Sequence, residues 1–172
     1  MSEQWFLDQA RLGNMYHSHN TTAGAFTVIH ATYTGLALSN PLGSGKNLVV
    51  DNISFVGSTL STIAEIGVAV APSISNAVQT GTAAVVHNAK LAGSNSNIGK
   101  GRTFSIATLL STPVWLRPIG HARITGAQDG SSSFVADFDG TLIVTPGTYV
   151  CIATLTAART GLGSISWAEI DE

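Results

Sequence analysis

Ile66-Gly67-Val68-Ala69-Val70-Ala71-Pro72-Ser73 decides the fold class. Large apolar residues at 66, 68 and 70 alternate with Gly and Ala at 67, 69 and 71, and a proline then stops the run. A period of two places successive side chains on opposite faces, which is a strand and not a helix. The same period recurs along the chain. Phe104 and Ile106 alternate with Thr103, Ser105 and Ala107. Phe134, Ala136 and Phe138 alternate with Val135, Asp137 and Asp139, and Ile165 and Trp167 alternate with Ser164, Ser166 and Ala168. The large members of each set are the expected core.

Turn chemistry separates these runs. Asn40-Pro41-Leu42-Gly43-Ser44-Gly45 lies between two apolar segments, residues 93–101 form a Gly/Ser/Asn loop, and Pro146-Gly147 marks a tight reversal. Asp129-Gly130 and Asp139-Gly140 carry the dipeptide that type I′ hairpin turns require, because both central residues need positive φ. Strands are expected near 26–34, 36–39, 47–57, 63–71, 83–92, 103–110, 113–117, 121–127, 133–138, 141–145, 148–156 and 163–170, with some merging. Many short strands joined by Gly/Pro turns predict an all-β chain: a single jelly-roll-like antiparallel β-sandwich over residues 25–172. Residues 1–24 read as a short N-terminal arm with a helix candidate at Glu3–Leu12. Its cluster Trp5-Phe6-Leu7 either docks on a neighbouring subunit or caps one end of its own sandwich.

Composition points to assembly. Only 10% of the residues are charged, against roughly 25% in typical soluble domains. Such a surface offers little repulsion between copies and suits packing against protein. In residues 148–155, Tyr149, Cys151, Ala153 and Leu155 point one way while Val150 and Ile152 point the other. One face of a sandwich strand needs cover from outside the main core, so Val150 and Ile152, with Trp5, Phe6 and Leu7, are the candidate interaction residues. A net charge of −2 with eight scattered Lys and Arg residues gives no nucleic-acid footprint. No apolar stretch reaches the roughly 20 residues of a membrane helix, and no secretory signal is visible at the N-terminus. The single cysteine, Cys151, forms no intrachain disulfide and reads as a small core hydrophobe.

Motifs of catalysis are present only as fragments, and the expectation is no enzyme and no cofactor. Gly43-Ser44-Gly45-Lys46 lacks the upstream Gly and the Ser or Thr after Lys that a phosphate-binding loop needs, and it reads as a hairpin loop joining two strands. Asp137-Phe138-Asp139-Gly140-Thr141-Leu142 looks like the nucleophile motif of haloacid-dehalogenase-type phosphatases, but no lysine and no helix–strand alternation follow it. Here Asp139-Gly140 is expected as a hairpin tip between 134–138 and 141–145. His17-Ser18-His19 puts two imidazoles on one side of an extended segment, two ligands of the four that close a metal site; a threefold axis would gather six. A solvated arm is the simpler reading. No nucleophile elbow is present. Asp51, Glu65, Asp137 and Asp139 are expected on surface hairpins, and Trp5, Trp115 and Trp167 read as core residues before they read as a sugar platform.

Two stretches carry a resemblance. One is Gly35-Leu36-Ala37-Leu38-Ser39-Asn40-Pro41 through Gly43-Ser44-Gly45-Lys46-Asn47-Leu48. The other is Thr145-Pro146-Gly147-Thr148-Tyr149-Val150, continuing to Thr160-Gly161-Leu162-Gly163-Ser164-Ile165-Ser166-Trp167-Ala168-Glu169. Together they resemble small jelly-roll or β-sandwich virion proteins of tailed bacteriophages, including the cement (decoration) proteins of the head. The resemblance implies a homotrimer, the major capsid protein as partner, no catalysis, and residence in the virion after synthesis in the host bacterial cytoplasm. The alternative is a tail-tip or fibre-head receptor-binding protein. A sandwich hydrolase or lectin is the third reading, and it needs a cluster of acids or a metal site. The resemblance carries no site residue onto this chain.

Overall fold

The computed structural model describes residues 3–58, 64–78, 80–90, 99–122 and 133–172. One helix, α1 (Glu3–Leu12), precedes β1 (Met15–His19), β2 (Gly24–Phe26), β3 (Tyr33–Thr34), β4 (Ala37–Ser39) and β5 (Lys46–Gly57). Then follow β6 (Ala64–Val70), β7 (Thr80–Ala83), β8 (Val86–Asn88), β9 (Arg102–Thr108) and β10 (Val114–Ala122). The chain closes with β11 (Ser133–Val144), β12 (Tyr149–Thr154) and β13 (Arg159–Asp171). The expected strand at 121–127 runs past Ala122, and with the Asp129-Gly130 turn and most of the 93–101 loop it lies outside the described residues.

Two antiparallel sheets face each other. One has the order β11-β5-β13-β1-β8, with β2 also on β13; the other has β10-β6-β12-β4-β9-β3, with β7 also on β9. Eight of these strands form two four-stranded layers, β1-β13-β5-β11 and β4-β12-β6-β10. That is the strand order of a jelly roll, as the sequence predicts. The β6–β10 connection adds β8 beside β1 and β9 beside β4, with β3 and β7 also pairing with β9.

The core follows from the alternation. Ile53, Phe55, Ile165 and Trp167 from the first sheet meet Leu36, Leu38, Ile66, Val68, Val150 and Ile152 from the second, all fully buried. Each such side chain contributes about 1.5–3 kcal/mol on burial. Val150 and Ile152 are therefore core residues and not interaction residues. The opposite face of β12 is covered too: Tyr149, Cys151 and Ala153 pack with Ile29, Val78 and Leu109 of the same chain. Connections of the chain itself supply the cover for which a neighbouring subunit was one candidate.

Three local expectations need correction. Residues 15–19, placed in the arm by their polarity, form β1, which pairs with both β13 and β8. The 43–46 loop is no hairpin, because β4 and β5 lie in different sheets; it arches between layers, with Gly43 and Gly45 at φ +75° and +68°. Asp139 and Gly140 do take positive φ, 47° and 78°. Yet the flanking segments pair with β5 and not with each other: Asp137 opposes Asn52 and Leu142 opposes Val50. Residues 138–141 thus bulge out of one continuous strand, closed by the Thr141 hydroxyl donating to the Phe138 carbonyl at 2.6 Å. The DxDGT look-alike is this bulge.

β9 faces the other way from the expectation. Thr103 and Ala107 are buried while Ile106 is exposed. The Thr103 hydroxyl lies 2.6 Å from that of Ser18, itself fully buried. A polar pair satisfied inside the edge of the sandwich outweighs the apolar preference of Ile106.

Two outcomes follow from these environments. Gly140→Val forces a β-branched residue into the left-handed region, and destabilisation of about 1–3 kcal/mol is expected in urea unfolding; Asp139→Asn, which tolerates that region, stays close to wild type. Burial pushes the Cys151 thiol up to about 12. It is expected to resist a thiol reagent at pH 8 in the native protein and to react once urea unfolds the chain.

Candidate functional site

The outer face of the first sheet is divided. One half carries α1. Phe6 is buried there against Met15, Val49 and Ala168, with Trp5 and Ile170 packed alongside. Trp5 and Phe6 meet edge to face at 4.9 Å between ring centroids. Leu7, by contrast, is 45% exposed. Trp5-Phe6-Leu7 is therefore not one anchor: two of its rings join a small core of this chain, and only Leu7 faces outward. The helix thus packs on its own chain, over the outer face of the first sheet and not over an end of the sandwich.

The other half is polar and, among the described residues, carries no helix. Strand register brings His87, His17, Ser166, Asn52 and Asp137 into one row across β8, β1, β13, β5 and β11. A second row holds His19, Ser164, Ser54 and Val135. Every member sits at the same phase of the pleat, opposite in direction to Ile53, Ile165 and Tyr16, which point into the core. The alternation that fills the core thus also builds this face.

Hydrogen bonds link the first row. The Asn52 amide donates to the Asp51 carboxylate at 2.9 Å. The Ser166 hydroxyl donates to Asn52 Oδ1 at 3.4 Å, and His17 Nδ1 lies 2.9 Å from Ser166 Oγ. In the second row, Ser54 and Ser164 share a 2.6 Å contact. His19 and His87 stack with centroids 6.1 Å apart and planes 12° apart. Partial burial holds the His17 imidazole below its ordinary value; Asp51 works against the shift and His87 with it. Burial raises the Asp51 carboxyl, the Asn52 hydrogen bond opposes this, and Asp137 and Asp139 reinforce it.

A Ser–His contact invites comparison with a hydrolase. Ser166 is only 6% exposed, and its proton is committed to Asn52. Its strand is paired on both sides, by β1 and β5, so neighbouring amides serve the sheet and not an oxyanion. The arrangement orients an imidazole and does not activate a nucleophile. Cys151 is wholly buried, and that burial pushes its thiol up and away from the reactive thiolate.

The chain matches no protein-family model, no curated protein and no solved structure.

Of the residues singled out from sequence, His17, His19, Asp51 and Asp137 lie on this face. His87, Ser166 and Asn52 join them through register, which a single sequence does not display. The legible signal was the polar half of each alternation, Ser164 and Ser166 above all.

Elsewhere, adjoining loops carry exposed apolar side chains. Leu42 is 71% exposed, Ile74 70% and Leu110 61%. Gly147 lies between the first two: a Cβ there would sit 3.2 Å from Leu42 Cδ1 and 3.0 Å from Ser75 N. The Ser111 hydroxyl, beside Leu110, donates to Asn76 at 2.8 Å. A groove of about 250 Å³ is lined by Val70, Leu116, Ile143 and Tyr149.

The polar face has a pH signature. A depressed His17 means that the unfolded chain binds its proton first on acidification from the ordinary value of 6.5. Its contribution to stability is complete above that pH and is lost as pH falls towards the folded value. Asp51, shifted upward, acts with the opposite sign and only in more acidic solution. Thermal melts between pH 7.5 and 5.5 are expected to show a shallower loss of stability in H17Q than in wild type.

Proposed function

We propose that this chain is a non-catalytic structural subunit of a phage virion, a cement protein that binds neighbouring major capsid subunits as a homotrimer. The observation that carries the reading is a jelly roll with 10% charged residues whose adjoining loops expose the apolar side chains Leu42, Ile74 and Leu110. Monomeric domains seldom leave such a cluster uncovered, and burying it against protein is the ordinary use. Closed cyclic symmetry is the usual product of self-association, and three linked copies multiply modest contacts through effective concentration. The resemblance of residues 35–48 and 145–169 to phage head proteins supports the same assignment. The adhesive mechanism needs no reacting group, in keeping with the inert environments of Cys151 and Ser166.

A tail-tip or fibre-head protein would share this fold, and electron microscopy of labelled virions separates the two by position. Sedimentation equilibrium at micromolar concentration is expected to give three times the 17.7 kDa of the chain. Ile74→Glu and Leu110→Glu each place a charge on the exposed cluster and are expected to abolish head attachment or trimer formation with little change in subunit melting temperature. Monomers throughout, or heads decorated normally by both variants, would overturn the proposal.

A further inference from the structure

We infer that His17, His19 and His87 constitute a binding site for a borderline divalent cation of the Zn²⁺, Ni²⁺ and Cu²⁺ class, a site independent of the virion reading. Imidazole nitrogen is the donor these ions prefer, whereas Mg²⁺ and Ca²⁺ take oxygen. Backbone geometry brings the three rings together. His17 and His19 are two apart on β1 and share a face, and His87 on β8 is the direct partner of His17. Its ring lies parallel to that of His19, 6.1 Å away.

Hydrogen bonds determine which nitrogen two of the rings, His17 and His19, offer. Asp51 accepts from the Asn52 amide group, so Asn52 Oδ1 faces Ser166. Ser166 spends its only proton on that oxygen, and its own oxygen must accept from His17 Nδ1–H. His17 Nε2 is then an outward lone pair. His19 Nδ1 lies 3.3 Å from the Asn20 carbonyl. A carbonyl only accepts, so here too Nδ1 donates and Nε2 is free. A ring N–H fixed on an oxygen acceptor, with the other nitrogen presented to solvent, is the support that metal-binding histidines have.

Among the described residues no group of three His, Cys, Asp or Glu side chains stands in metal-holding geometry, so the three rings must rearrange to take an ion. Zn–N bonds are about 2.0 Å, so binding requires the stacked His19 and His87 rings, 6.1 Å apart, to turn towards His17. Three imidazoles leave at least one coordination position for water or a group from another molecule.

Calorimetric titration of the purified protein with ZnCl₂ and with MgCl₂ tests this. One Zn²⁺ per chain is expected, with no Mg²⁺ heat. H19Q and H87Q, at surface positions, are expected to weaken Zn²⁺ at least tenfold while melting like wild type. H30Q and H121Q, elsewhere on the chain, are expected to bind as wild type does. Cu²⁺ bound to the wild type is expected to show coupling to several imidazole nitrogens in its electron paramagnetic resonance spectrum. Absence of Zn²⁺ binding, binding that survives H19Q and H87Q, or coupling to a single nitrogen would overturn the assignment.

Discussion

The insertion of β13 between β1 and β5 is the constraint on which the rest of the structure depends. This last strand pairs with β5 from Gly161 to Asp171 and, on its other side, with all five residues of β1. It unites the N-terminal, central and C-terminal parts of the chain in one sheet. Its inward residues, Ile165 and Trp167, are fully buried in the main core. Non-local pairing of this kind closes long loops before any contact rewards them, so folding is expected on the slow side for a domain of this size.

The same strand sets the division of the outer surface. A bulge between Ser166 and Trp167, opposite Asp51, changes the register of β13 on β5. On one side of it Val49 and Ala168 face outward and are covered by Phe6 of α1. On the other side Asn52, Ser54, Ser164 and Ser166 face outward, and among the described residues no helix lies above them. A bulge alters twist and shifts which residues share a face, and here it marks the border between an apolar strip and a polar one. Glu169, just past the border, turns its carboxylate onto the amides of Lys100 and Gly101 and the Trp167 indole, which ties the segment before β9 to the core.

Much of this was legible from alternation alone. The runs at 66–70, 134–138 and 165–167 point their large residues inward as read, and the overall sandwich follows. What failed had identifiable causes. β1 was missed because Met15-Tyr16-His17-Ser18-His19 buries Ser18 at a position that composition marks as polar. β9 was read on the wrong face because Thr103 satisfies Ser18 inside the sandwich. Asp139-Gly140 was read correctly at the level of φ and wrongly at the level of topology, since a dipeptide fixes local dihedrals and not the partner of the flanking strands. Val150 and Ile152 were read as contact residues because the connections that cover the other face of β12 carry no periodic signal. The histidine face was half legible: the pair on β1 is written in the sequence, and the third ring arrives by register.

Register is also what makes the polar face specific. A slip of one residue between β1 and β13 would turn His17 and His19 inward and Ser18 outward, at the cost of burying two imidazoles and exposing Tyr16. Tyr16 is stacked on Trp167 with ring centroids 5.9 Å apart, a contact available in only one register. The core therefore selects the pairing, and the pairing then delivers Ser166 to His17. Removing the Ser166 hydroxyl would leave the core intact and free the imidazole to choose its tautomer. The chemistry of the exposed face is in this sense set by aromatic packing on the buried one.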